Sequence, residues 1–188
     1  FKFARDVYSS PQMIMTIQST SQEEFDKYVS RNGQAIVDFF TRAEMNREVA
    51  LLKKKHNKTI SAKVGSMFDC DIWMPIEMES YKSGDHFFWA STNLNDLNFV
   101  MYSYPFRDNN TFTKEYFIAK RDSVMKVNLP GAREGMYMET ADSIFVEARN
   151  ISVDGDFAYE VRGLWDMKND AMGGPFVSHV RVDRANAR

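Results

Sequence analysis

Glu147-Ala148-Arg149-Asn150-Ile151-Ser152-Val153, then Asp154-Gly155, then Asp156-Phe157-Ala158-Tyr159-Glu160-Val161-Arg162, reads as two strands and their turn. Asp-Gly is a favoured central pair of a type I′ turn, whose twist matches that of the strands it joins. A two-residue turn there fixes the register. It sets Arg149 opposite Glu160 and Glu147 opposite Arg162, two pairs of opposite charge on one face. The other face receives Ala148 opposite Val161 and Asn150 opposite Tyr159, and the same register extends to Ile144 opposite Trp165. A slip of one residue would turn the charges and the apolar groups to the wrong faces.

Downstream, Arg162-Gly163-Leu164-Trp165 continues the second strand and is followed by Met172-Gly173-Gly174-Pro175-Phe176. Glycine inside a strand marks close approach of a neighbour, which suits Gly163 beneath Val146. Gly173-Gly174 read as a turn supplying positive φ. Phe176 to Asp183 alternates Phe176, Val180 and Val182 with His179, Arg181 and Asp183, a strand with one wet face. The loop from Asp166 to Gly174 is a candidate cap over a cleft lined by Trp165, Met172 and Phe176, with Arg162 gripping an anion and Gly173-Gly174 shaping the turn. The competing reading makes Trp165 a core anchor and Arg162 a partner of Glu147.

Upstream, Gln12 to Gln18 is a short apolar strand. Ser21-Gln22-Glu23-Glu24 fits a capping box with Ser21 as N-cap and Glu24 reaching back. The helix it opens is expected to stop or kink at Asn32-Gly33, with a second helix from Gln34 to Lys55 ending in a solvated lysine run. Strands are expected at Lys63–Trp73, His86–Ser91 and Asn98–Tyr104, with a hairpin loop at Thr92–Asp96 and a helical turn at Glu77–Ser83. Thr113 to Val127 reads as a helix stopped by Asn128-Leu129-Pro130-Gly131. The pattern as a whole is α+β, a mainly antiparallel sheet with two to three helices packed on it. It reads as one domain over residues 1–188, a fragment of a longer chain truncated at both ends.

Composition narrows the function classes. The hydrophobic share is 44%, enough for a sizeable core. Net charge is −2, so nothing in the overall balance attracts nucleic acid. No apolar run reaches the ~20 residues of a membrane helix. A single cysteine, Cys70, excludes an internal disulfide and a cysteine-rich metal site.

Chemistry-bearing patterns are sparse. The histidines are His56, His86 and His179, and no Gly-x-Ser-x-Gly elbow accompanies them. Asp69 and Asp71 share a face if Lys63–Trp73 is a strand, a pair that could bind a hard cation, but alternating polar residues on a wet strand are the commoner cause of that spacing. Asp154-Gly155-Asp156 begins like a calcium loop and lacks its later acidic ligands. No phosphate-cradling glycine loop is present. His86-Phe87-Phe88-Trp89 serves either the core or a sugar-stacking platform, and the core is the better reading. No catalytic residue, metal ligand or cofactor site emerges.

Arg162-Gly163-Leu164-Trp165 with Met172-Gly173-Gly174-Pro175-Phe176-Val177-Ser178 resembles the C-terminal signature of the domain-of-unknown-function 4837 family. Further resemblance lies in Ala4-Arg5-Asp6-Val7-Tyr8 leading to Pro11-Gln12, in Asn46-Arg47, in Tyr102-Ser103-Tyr104-Pro105 and in Lys120-Arg121-Asp122-Ser123 leading to Leu129-Pro130-Gly131, so it covers nearly the whole chain. The resemblance implies a Bacteroidetes envelope lipoprotein, held in the periplasm or at the outer membrane by a lipid anchor. It carries no catalytic assignment. The expected role is a non-enzymatic envelope domain that binds a partner protein or a glycan. The rival is an envelope glycan or peptidoglycan hydrolase working through paired carboxylates.

Overall fold

Lys2–Arg5 (β1) and Met13–Thr16 (β2) pair as an antiparallel hairpin in the computed structural model, which describes every residue except Asn95, Asp142, Ser143, Asp154 and Ala187. Gln22–Lys54 (α1) comes next, and Ser21 caps it by accepting the Glu24 backbone N–H at 3.2 Å. The Glu24 carboxylate accepts from Thr20 Oγ1. The helix runs straight through Asn32-Gly33, in place of the expected break. Both residues allow a stop without imposing one. The Asn32 amide donates to the Tyr28 carbonyl one turn back, and Gly33 has open space around it. None of the 33 residues of α1 is buried.

Asn57 caps a second helix, Lys58–Phe68 (α2), by accepting the Ile60 N–H at 3.1 Å. Its buried residues Ile60, Val64 and Phe68 recur every fourth position, so one stripe faces inward. This helix overturns the strand expected from Lys63. Ser61, Ala62, Lys63 and Gly65 are not favoured in strands, which leaves the helical stripe to decide the matter. Asp69 ends α2 in the left-handed region at φ 53°, so Asp69 and Asp71 do not share a strand face.

Met78–Gly84 (β3), Phe87–Thr92 (β4) and Asn98–Tyr102 (β5) form a sheet with β4 in the middle. β3 replaces the helical turn expected at Glu77–Ser83. Phe87 and Phe88 are buried, as the core reading of that tetrad requires, and the Trp89 indole donates to Asn98 Oδ1 at 3.0 Å. Part of the Thr92–Asp96 loop, Asn95, lies outside the described residues. Ser91, also on β4, is fully buried and its hydroxyl has no partner among the described residues. A buried hydroxyl without a hydrogen bond carries its desolvation cost uncompensated. Ser91→Ala is therefore expected to stabilise the protein by about 1 kcal/mol, read as a higher urea midpoint at unchanged slope.

Thr113 caps Lys114–Asn128 (α3), and the helix ends at Leu129, ahead of Pro130 and Gly131. Met138–Thr140 (β6), Glu147–Val153 (β7), Asp156–Met167 (β8) and Gly173–Val180 (β9) make a third sheet, four-stranded and antiparallel. β8 is its spine. β7 pairs with the first half of β8 and β6 with the second half, while β9 lies along the other side. Phe117 of α3 packs with Val146, Tyr159 and Val161 to form the core under this sheet, and Phe112, Ile118, Ala148, Phe176 and Val180 surround them. The chain forms two compact units, residues 1–82 with 88–100, and residues 83–87 with 101–188.

The hairpin register is as the charge pattern dictates. Glu147 faces Arg162, Ala148 faces Val161, Arg149 faces Glu160 and Asn150 faces Tyr159. Asp154 of the turn lies outside the described residues, but Val153 pairs with Asp156 and Gly155 has φ 86°. The extension to Ile144 does not hold. β7 begins at Glu147, and the residue opposite Trp165 is Thr140 of β6.

Candidate functional site

Alternation along β8 sorts the expected site residues. Glu160, Arg162 and Leu164 point to one face, and Tyr159, Val161, Gly163 and Trp165 to the other. Phe176 is paired with Gly163 and so lies with Trp165 on the inner face. Arg162 is thus separated from Trp165 and Phe176 by the thickness of the sheet. Met172 is exposed at the loop. The six residues Arg162, Trp165, Met172, Gly173, Gly174 and Phe176 do not converge on one cleft.

The glycines have a different role from the one expected. Gly173 and Gly174 are strand residues opposite Asp166 and Trp165, and the turn is made earlier, around Asn169 at φ 62°. A Cβ on Gly173 would stand 2.8 Å from the Trp165 carbonyl oxygen. One on Gly174 would stand 3.2 Å from the Trp165 indole nitrogen. The pair is there so that β9 can close onto Trp165. Gly163 plays the expected part, with a Cβ position 3.3 Å from Val146 Cγ2 and 3.1 Å from the Phe176 ring.

Phe176 is held on both sides. It stacks on Phe117 with centroids 6.2 Å apart, and the Arg121 guanidinium lies 4.3 Å from its centroid. Arg121 is itself buried and donates to Thr140 Oγ1 at 3.0 Å, while Asp122 Oδ1 lies 3.3 Å from the same nitrogen. Burial lowers the Arg121 pKa and the nearby Asp122 opposes that shift. Asp122 also accepts the Thr140 backbone N–H at 2.8 Å, so this pair ties α3 to β6. It is structural cement on the inner face.

The outer face is where charge gathers, on Glu160. Its side chain is only 6% exposed, yet its oxygens meet three cationic or ionisable groups. Arg149 Nε donates to Oε1 at 2.8 Å, with Arg149 Nη2 2.7 Å from the same oxygen. Arg162 Nε donates to Oε1 at 2.8 Å and Arg162 Nη2 to Oε2 at 3.2 Å. His179 Nε2 lies 3.1 Å from Oε2. The Arg162 hydrogen bonds, helped by His179 and Arg149, hold the Glu160 carboxyl down at about 2 against the desolvation that would raise it. Glu147 stays cross-strand from Arg162 and still attracts it, but the hydrogen bonds of the guanidinium go to Glu160. The Arg162 guanidinium follows its own strand to Glu160, because Glu160 is already desolvated and offers a second oxygen.

The geometry has a chemical consequence. A carboxylate saturated by two guanidinium groups is a poor base and cannot donate a proton near neutral pH. What it does is hold the guanidinium groups still. Arg149 and Arg162 remain 54% and 50% exposed, and each keeps guanidinium N–H donors with no partner among the described residues. Exposed Val177 and Leu164 flank them on the same face. The sequence signal for this cluster was the pairing of Arg149 with Glu160. His179 joined it only through the register of β9, which sequence spacing alone does not supply. Among the described residues no group of three or more histidine, cysteine, aspartate or glutamate side chains is placed to hold a metal ion. Among them, too, no helix is long and apolar enough to cross a membrane.

Two family models match the sequence. The one described as Domain of unknown function (DUF4837) matches residues 57–188, and the one described as Domain of unknown function (DUF8532) matches residues 1–53. The segments Ala4–Gln12 and Asn46-Arg47, which carried part of the resemblance to the first family, therefore fall within the second match. No curated protein and no solved structure matches the chain.

Proposed function

Since the chain belongs to the domain-of-unknown-function 4837 family across residues 57–188, we propose that it is a non-enzymatic domain of the cell envelope, held there by a lipid anchor, that binds a partner protein through the outer face of its β7–β8–β9 sheet. The envelope location rests on the family resemblance. The binding reading rests on one observation, the two half-exposed guanidinium groups locked onto Glu160. Arginine is enriched among the residues that dominate interface energies, and a side chain already fixed in place loses little freedom on binding. Val177 and Leu164 add apolar area beside the arginines. The unused guanidinium donors suit carboxylate groups on the partner. A glycan is the second ligand class that the same donors suit. The hydrolase reading needs a carboxylic acid kept protonated near neutral pH, and Glu160 is shifted the opposite way.

The test is affinity capture from envelope membranes under mild detergent, with the wild-type chain and Arg162→Ala side by side. A specific protein retained by wild type and lost or weakened about tenfold by Arg162→Ala is the expected result. Recovery of the protein alone, or equal capture by both, overturns the reading.

A further inference from the structure

β9 is an edge strand. It pairs with β8 on one side, and among the described residues neither a strand nor a side chain bonds its other side. The parity of its bonding rests on two observations. The Met167 N–H donates to the Met172 carbonyl at 2.8 Å, so even-numbered residues take the hydrogen-bonded positions toward β8. Pro175, which has no N–H to give, then sits opposite Leu164 at a non-bonded position, where its missing donor costs the ladder nothing. Gly173, Pro175, Val177 and His179 therefore direct their backbone groups outward. Beyond Pro175, the edge offers the full donor and acceptor sets of Val177 and His179.

Such an edge is a template for another strand, and proteins commonly blunt it with charged residues. Gly173-Gly174-Pro175-Phe176-Val177-Ser178-His179-Val180 contains no lysine, arginine, aspartate or glutamate. Proline protects only its first half.

We propose that this edge pairs antiparallel with the same edge of a second copy, joining two sheets across a twofold axis. One register suits the open half of the edge, from Phe176 to Val180. Val177 of one copy lies opposite His179 of the other, which makes four backbone hydrogen bonds across the two equivalent pairs. Ser178 then meets Ser178 on the axis, and Phe176 meets Val180, an apolar pair on the inner face where both residues already pack against the core. The absence of formal charge along the strand leaves no like-charge opposition between two identical edges. An acidic or basic partner strand would find no complement in these eight side chains, which favours self-pairing. The outer faces of the two sheets become continuous, so each dimer presents two Glu160-centred clusters side by side. The pairing stands independently of what those clusters bind.

The variant that separates the two sides of β9 is Val177→Pro. The Val177 N–H points outward, so its removal spares the bonds to β8, as Pro175 already does two residues earlier. Two of the four intermolecular hydrogen bonds are lost, which weakens the dimer roughly thirtyfold. Sedimentation equilibrium of the wild-type chain is expected to show a concentration-dependent dimer, with the Val177 and His179 amides becoming protected from exchange as concentration rises. Val177→Pro is expected to dimerise roughly thirtyfold more weakly, with a wild-type circular dichroism spectrum. Should that variant fail to fold, Val177→Lys gives the same loss by placing a charge on the edge, and Val177→Thr keeps the dimer. A wild-type chain that stays monomeric at high micromolar concentration overturns the proposal. So does dimerisation as tight as that of the wild type in folded Val177→Pro or Val177→Lys.

Discussion

Glu160→Ala is expected to destabilise the protein by about 3 kcal/mol, the low end of the range for removing one partner of a buried charge cluster. The carboxylate is nearly fully covered and is the common acceptor of Arg149, Arg162 and His179. Without it, two guanidinium groups on neighbouring strands face each other with no anion between them. They are half exposed, so water recovers part of the loss, and the effect stays below the largest values known for buried pairs. Glu160→Gln keeps the volume and one acceptor and is expected to cost less. Urea titration of both variants against wild type checks the order.

The same carboxylate sets an acid limit. Its ordinary value is 4.5 and in the folded protein it is held at about 2. A depressed carboxyl stabilises the fold fully above the unfolded value and loses that contribution as pH falls toward the folded one. Wild-type stability attributable to this group is thus expected to decline between about pH 4.5 and pH 2. In Glu160→Gln that part of the slope should vanish. Parallel acid titrations followed by circular dichroism would show it, and identical slopes for both proteins would contradict the assignment.

Gly163→Ala is the second large effect, expected at about 2 kcal/mol of destabilisation. The added methyl would stand 3.1 Å from the Phe176 ring and 3.3 Å from Val146 Cγ2. Whether such contacts can relax depends on the groups behind them. Phe176 is backed by Phe117 and by the Arg121 guanidinium, and Val146 belongs to the core cluster. Neither can retreat, so β8 and β9 must move apart instead. Phe176→Leu in the same chain removes ring atoms from the contact, and the double variant should cost less than the sum of the two single changes. Thermal unfolding of the four proteins measures the coupling; strict additivity would mean that the methyl group is accommodated elsewhere.

The sequence alone determined the hairpin. Asp154-Gly155 and the opposed charges of Arg149, Glu160, Glu147 and Arg162 admit one register, because a slip inverts both faces at once. It also determined the ends of α3, where Thr113 and Pro130-Gly131 act locally, and the mainly antiparallel α+β class. Tertiary structure decided the rest. Asn32-Gly33 permits a helix stop but does not force one, so α1 continues. Lys63–Trp73 has too little β-branching to hold a strand, and burial of Ile60, Val64 and Phe68 made the first part helical. Gly173-Gly174 carry the mark of glycine, but composition cannot distinguish a turn that needs positive φ from a strand that needs bare backbone against Trp165. The candidate site shows the same division. Local pairing placed Arg149, Glu160 and Arg162 on one face, whereas His179 and the open edge of β9 depend on how a distant strand docks. Side-chain direction comes from the two-residue period of a strand, while the choice of neighbour comes from packing between segments far apart in the chain.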